Sequence, residues 1–232
     1  MVKYVKPVRD NLLNPPTNAI AIKRGENWWQ FGGRAPALRA AIADLSEVLV
    51  IARVSKTVMP QRLPNRYVVS DSCNVFALDG FAVQAVLSSS LHQLWAITYG
   101  SGMRNDPRYT PSDVFETFPL PEDTDLLDQV GRELDLSRRA IMLESGLGLT
   151  ALYNRVNDPQ DKGDVGIERL RDLHRRLDEA VMDAHGWNER ALGHGFHTFR
   201  DMRRWTVSPS ARTEILDLLL EENHRRSDRG QG

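Results

Sequence analysis

The sequence has little cysteine and no long apolar run. Cys73 is the single cysteine, which excludes an internal disulfide and any zinc site built from several cysteines. A membrane-spanning helix needs about 20 consecutive apolar residues, and no stretch of the chain approaches that length. The first ten residues also lack the apolar segment of a signal peptide. We therefore expect the protein to be located in the cytoplasm, a reducing environment. We expect no contact with a membrane.

Complete catalytic motifs are also lacking. The chain has no glycine-rich turn between a strand and a helix of the kind that holds S-adenosylmethionine, and Gly146 to Gly148 predict a helix end instead. Residues 14–17 (NPPT) resemble the Asn-Pro-Pro-aromatic motif of adenine methyltransferases, but Thr17 replaces the aromatic residue that stacks on a flipped base. Three histidines, His185, His194 and His197, are too loosely spaced for a metal site. We predict no catalytic residue, cofactor site or metal site in this chain.

A net charge of −1 conceals an uneven distribution of charge along the chain. Residues 1–66 carry 11 Lys and Arg against 4 Asp and Glu, a balance of +7. Residues 122–232 carry 17 against 22, a balance of −5. A basic first third suits a polyanionic partner, because Lys and Arg side chains on phosphates release condensed counterions. The alternative is a solvated surface that happens to be basic.

Strand and helix patterns alternate as far as Pro121, and helical patterns alone follow. We predict an α+β fold with a linker at 1–27, a mixed α/β domain at 28–121 and a mainly helical domain at 122–232. Apolar β-branched residues predict a short strand at 20–22, a central strand at 47–53, and strands at 66–70 and 74–78. Amphipathic periodicity and helix-capping residues predict helices at 36–45, 80–99, 123–145, 165–185 and 209–226.

One segment, residues 95–121 (WAITYGSGMRNDPRYTPSDVFETFPLP), resembles the signature of the target recognition domain of MmeI-like DNA methyltransferases. These restriction–modification enzymes carry nuclease, methyltransferase and DNA-recognition parts on one polypeptide. Further blocks of the same pattern occur in order along nearly the whole chain, at residues 5–10 (VKPVRD), 28–31 (WWQF), 38–42 (LRAAI), 52–56 (ARVSK), 86–100 (VLSSSLHQLWAITYG), 149–154 (LTALYN), 170–187 and 204–223. Residues 11–25 depart from the pattern, because this segment is longer than the family leads us to expect.

The resemblance implies a function in phage defence. The chain would be the C-terminal specificity part of an adenine-specific methyltransferase, with double-stranded DNA as its partner. The methyltransferase domain, which would bind S-adenosylmethionine, would lie in the same polypeptide or in a separate one. Two alternatives stay open from the residues alone. One is a self-standing small enzyme of unknown reaction, and the other is a structural remnant that binds nothing.

Two loops hold side chains suited to DNA. In the major groove Arg reads guanine, Asn reads adenine and Asp reads cytosine. Residues 101–108 (SGMRNDPR) hold these types, and in the resembling family residues near this position help to set the accepted bases. We therefore take four residues as candidates for base recognition: Arg104, Asn105, Asp106 and Arg108. The alternative is a surface loop whose charges pair with one another. The basic loop 54–66 suits phosphates, which position the protein without specifying sequence. Its candidates are Lys56, Gln61, Arg62 and Arg66.

Overall fold

A computed structural model describes residues 2–30, 35–103 and 106–230, without the side chains of 102, 103, 106, 229 and 230. The chain forms two compact units, Met1–Asp44 and Leu45–Gly232. Within the described ranges, no helix is both long enough and apolar enough to cross a membrane.

The first unit is helical. Its elements are α1 (Lys6–Asp10), a 3-10 turn (Asn11–Leu13), α2 (Ala19–Glu26) and α3 (Pro36–Ala41). Residues 6–10, within the predicted linker, form a helix, because proline is tolerated in the first turn of a helix and Pro7 occupies that place in α1. The predicted strand at 20–22 is wrong. The Asn18 side chain accepts a hydrogen bond from the Ala21 amide at 2.9 Å, and this cap starts α2 instead.

The second unit begins with a three-stranded antiparallel sheet. Its strands are β1 (Glu47–Ala52), β2 (Gln61–Pro64) and β3 (Cys73–Phe76), in the order β2-β1-β3. The central position predicted for the strand at 47–53 is confirmed, since β1 pairs on both sides. The predicted strand at 66–70 is wrong. Pairing stops at Pro64, opposite Glu47, and the exposed residues that follow form a turn and loop.

Two helices follow where one long helix is expected. α4 (Phe81–Ser88) and α5 (Ser90–Tyr99) are separated by Ser89, whose backbone is extended at ψ 158°. The Ser89 hydroxyl accepts a hydrogen bond from the His92 amide at 3.1 Å and thereby caps α5. A hairpin of β4 (Ser101–Met103) and β5 (Asp106–Arg108) comes next, and α6 (Pro111–Val114) closes this part.

The remaining chain is helical apart from one hairpin. Its helices are α7 (Asp125–Ser145), α8 (Leu149–Val156), α9 (Val165–Ala184) and α10 (Pro209–Gly230). Gly146 ends α7 in the left-handed region, at φ 65°, as predicted. The prediction that only helices follow Pro121 is wrong, because β6 (Gly195–Phe199) and β7 (Met202–Thr206) pair as an antiparallel hairpin.

One apolar core runs through the second unit. It joins β1 and α4 to α7, α9 and α10, so residues on both sides of Pro121 share it, from Leu49 to Leu219. The fold is α+β. The division into a mixed domain at 28–121 and a helical domain at 122–232 stays a prediction.

Candidate nucleic-acid interface

The β4–β5 hairpin lies against the carboxyl end of the central strand β1. The Tyr109 amide donates to the Arg53 carbonyl at 2.8 Å, and the Ser55 amide donates to the Pro107 carbonyl at 3.3 Å. Between these two bonds Val54 and Arg108 form an antiparallel bridge. The two loops that the sequence marks as candidates are therefore neighbours, joined through their backbones.

A buried pair fixes the base of this hairpin. Tyr109 is 3% exposed, and its hydroxyl lies 3.0 Å from Nε2 of His92. Nδ1 of His92 lies 3.0 Å from the Leu87 carbonyl, which can only accept, so Nδ1 carries the proton and Tyr109 donates to Nε2. Burial lowers the pKa of His92 to about 4, which keeps the imidazole neutral at neutral pH. Asn74 adds a hydrogen bond to the Tyr109 carbonyl at 3.0 Å.

An open cleft of about 350 Å³ lies beside the hairpin, lined by Arg53, Val54, Asp71, Ser72 and Arg108. Nη1 of Arg53 donates to the Asp71 carbonyl at 3.0 Å, and the Arg53 amide donates to the Ser72 carbonyl at 2.9 Å. Arg53 and Arg108 are half-buried, whereas Asp71 and Ser72 are exposed. The residues that line the cleft thus include guanidinium, carboxylate and hydroxyl groups, the side-chain types that hydrogen-bond base edges in a groove.

The structure describes only some of the four candidates for base recognition. Arg108 lines the cleft. The backbone of Asp106 pairs with Met103 in the hairpin, and its side chain lies outside the description. Arg104 and Asn105 lie outside the described residues altogether. Arg53, Asp71 and Ser72 were not candidates. Arg53 is the last residue of the predicted central strand, and that position was the available signal, but its contact with Asp71 depends on tertiary pairing.

The phosphate candidates also differ in environment. Lys56 and Arg66 are exposed, with the Arg66 guanidinium 5.4 Å from the Tyr67 ring centre. Gln61 is half-buried and donates to the Pro60 carbonyl at 3.0 Å.

Arg62 requires a correction. It is 7% exposed, and its guanidinium donates to the Asp79 carbonyl at 2.6 Å, the Gly80 carbonyl at 3.2 Å and Oε1 of Gln84 at 3.1 Å. A buried guanidinium with these partners presents no face to a phosphate. We therefore assign Arg62 to the packing of β2 on α4 rather than to DNA contact.

The three histidines considered as a metal site have separate partners. Nε2 of His194 lies 2.8 Å from Oδ2 of Asp178, Nε2 of His197 lies 3.0 Å from the Gly193 carbonyl, and His185 stacks on Trp187 at 4.1 Å between ring centres. Within the described ranges, no three His, Cys, Asp or Glu residues gather in a possible metal site.

The segment that holds the hairpin and the cleft is similar to a target recognition domain, the part of a restriction–modification enzyme that recognises DNA sequence. Residues 39–122 match the family model of the MmeI target recognition domain. This match confirms the resemblance predicted from the sequence. A solved structure of the Type IIL restriction-modification enzyme MmeI in complex with DNA is similar in fold, with a TM-score of 0.64 and 16% sequence identity. The similarity covers 98% of this chain and 26% of that one. No curated protein sequence matches this chain.

Proposed function

We propose that this chain recognises DNA sequence as the specificity part of an adenine-specific restriction–modification methyltransferase. The main support for the proposal is that the β4–β5 hairpin packs against the end of β1, beside a cleft lined by Arg53 and Arg108. Both arginines lie within residues 39–122, the part that matches the target recognition model.

Base recognition is assigned to the hairpin and the cleft. Arg108 lines the cleft, and Arg104, Asn105 and Asp106 belong to the same short segment of sequence. Guanine presents two acceptors in the major groove that one guanidinium can contact at once. A well-placed contact of this kind contributes about 1–3 kcal/mol of discrimination against the wrong base. Arg53 and Asp71 join the candidate set because they line the same cleft.

Affinity is assigned to the neighbouring basic loop. Lys56 and Arg66 are exposed and lie in the first 66 residues, where the charge balance is +7. Gln61 is a weaker candidate, since its side chain already donates to the Pro60 carbonyl. Contacts of this kind hold the duplex in register, and their strength falls as salt rises because counterions compete for the phosphates.

The methyl transfer itself is assigned to a methyltransferase domain in the same or a separate polypeptide. Every strand pair of the described residues is antiparallel, so those residues contain no parallel strand–helix–strand unit of the type that commonly holds a nucleotide-like cofactor. S-adenosylmethionine would then bind to that other domain. The setting that suits such an enzyme is the cytoplasm, where the DNA and the cofactor are found together.

Selection from a pool of random-sequence duplexes tests the proposal. The chain is incubated with the pool, bound DNA is recovered and amplified over several rounds, and the products are sequenced. We expect one short motif to be enriched. Recovery of DNA without enrichment would leave only non-specific binding, and recovery of no DNA would favour a remnant that binds nothing.

A further inference from the structure

The β6–β7 hairpin, residues 195–206, lies within a short basic segment, residues 191–213, of an otherwise acidic part of the chain. Residues 122–232 carry 17 Lys and Arg against 22 Asp and Glu. Within that part, residues 191–213 carry a single acidic residue, Asp201, and four arginines, Arg200, Arg203, Arg204 and Arg212. The sign of the local charge is therefore opposite to that of its surroundings, which is the charge distribution expected of a polyanion-binding surface.

Two of these arginines are exposed and form no ion pair with another described residue. Arginines elsewhere in the same part are neutralised, as in the contacts of Arg175 with Asp172 at 2.6 Å and with Glu179 at 2.8 Å. Arg200 and Arg203 are exposed, and no ion pair found among the described residues includes either. Their positive charges are thus available to an external anion.

The hairpin is in direct contact with the phosphate-candidate loop. Arg204 of β7 is 7% exposed, and its guanidinium donates to the Lys56 carbonyl. Burial lowers the pKa of Arg204. At the end of β7, the Thr206 hydroxyl donates to the Ser90 hydroxyl at 3.3 Å. The basic hairpin therefore contacts the backbone of Lys56, an exposed residue, within the same compact unit.

Hydrogen bonds and ring contacts with α9, α10 and the end of α8 also fix the position of the hairpin. The Trp205 amide donates to the Asn157 side chain at 3.0 Å, and the Trp205 indole donates to the Arg171 carbonyl at 3.1 Å. Arg212 of α10 stacks over the Phe199 ring at 4.3 Å and donates to the Thr198 carbonyl at 3.3 Å. A cation on a fixed support loses less conformational freedom on binding than one on a loose loop.

We propose that the β6–β7 hairpin is a second DNA-backbone contact surface, in which Arg200 and Arg203 bind phosphates beyond those held by Lys56. This inference rests on the proposed DNA-binding function and extends the contact area past residues 39–122. The contacts strengthen binding to every sequence equally, because phosphates carry no direct sequence information.

The salt dependence of binding tests this inference. Fluorescence anisotropy with two labelled duplexes of unrelated sequence gives the slope of log affinity against log salt for the full chain. In the double variant Arg200→Gln/Arg203→Gln we expect the slope to shrink by about two units, since each lost phosphate contact removes about 0.9. Both duplexes should lose affinity by the same factor. The single variant Lys56→Gln serves as a reference and should remove about one unit.

The matched control is Arg169→Gln/Arg175→Gln, which removes the same net charge from two arginines of α9, one exposed and one half-buried, that are paired with carboxylates. It should retain the wild-type slope. An unchanged slope in the hairpin variant, or a loss confined to one duplex, would overturn the hairpin assignment while the response to Lys56→Gln leaves the proposed function standing. Binding by the wild-type chain that is absent or independent of salt would overturn both.

Discussion

At the scale of single residues, burial separates two kinds of arginine that the sequence cannot tell apart. Arg62 and Arg66 lie four positions apart in one basic loop. Arg66 is exposed, whereas the Arg62 guanidinium stacks over the Phe81 ring at 4.0 Å, and burial lowers its pKa. Residue type alone predicted a phosphate contact for both. The distinction depends on how β2 packs on α4, which no local pattern reveals.

Arg62→Ala should therefore lower stability. The change leaves three acceptors without their donor at a partly buried site: the carbonyls of Asp79 and Gly80 and Oε1 of Gln84. We expect the free energy of unfolding to fall by about 2–4 kcal/mol, as measured by urea denaturation. Lys56→Ala, at an exposed site, should change it by less than about 0.5 kcal/mol. Equal effects of the two variants would contradict the structural assignment of Arg62.

At the scale of elements, the long amphipathic helices were predictable and most of the short strands were not, although β3 falls within one residue of the start predicted for the strand at 74–78. The apolar stripes of α7 and α9 repeat with the helical period over 21 and 20 residues, so local sequence defines them. The break at Ser89 interrupts an apolar helical pattern through one extended residue, and propensity gives no sign of it. β6 (GFHTF) and β7 (MRRWT) span only five residues each and show no strict alternation of apolar and polar residues, so neither stands out from a loop.

The contact between α4 and α7 gives a test at this scale. Gly131 of α7 passes so close to α4 that a Cβ atom there would lie 2.1 Å from the Phe81 carbonyl oxygen. Alanine favours helix over glycine by about 1 kcal/mol, yet Gly131→Ala must push the two backbones apart. We expect a net loss of about 1–3 kcal/mol, measured by thermal or urea unfolding. Gly148→Ala is the control, since no atom lies within 4 Å of its added Cβ. Stabilisation by Gly131→Ala would argue against this close approach.

At the scale of the whole molecule, stability should depend on pH through buried histidines. Burial lowers the pKa of both His92 and His174 to about 4, from an ordinary value near 6.5. The unfolded chain therefore binds more protons than the folded one between about pH 6.5 and pH 4. Stability is fully present above that window and falls as the pH drops through it.

Urea midpoints at about pH 7 and pH 5 measure this dependence. We expect the midpoint to fall on acidification, and each buried histidine contributes at most about 3 kcal/mol across the whole window. His92→Gln should reduce the difference between the two pH values, whereas His224→Gln, at an exposed site, should leave it unchanged. Equal midpoints at both pH values in the wild-type chain would contradict the neutral, buried state of these side chains.

The site as a whole was predictable in part. The segment 101–108 and the loop 54–66 could be marked from residue types and from a family resemblance. The cleft that joins them could not, because it depends on the bridge between Val54 and Arg108 and on the turn that brings Asp71 to Arg53. Those contacts link positions far apart in the chain through hydrogen bonds to backbone carbonyls, and an accepting carbonyl leaves no signature in the sequence.

The most direct test of DNA recognition compares Arg108→Gln with Lys56→Gln in selections from random-sequence duplexes. If Arg108 contacts a base and Lys56 a phosphate, Arg108→Gln should change or lose the enriched motif at one position, at a cost of about 1–3 kcal/mol in discrimination. Lys56→Gln should keep the wild-type motif and bind all sequences more weakly. A wild-type motif that persists unchanged in Arg108→Gln, together with a changed motif in Lys56→Gln, would contradict the assignment of the two loops.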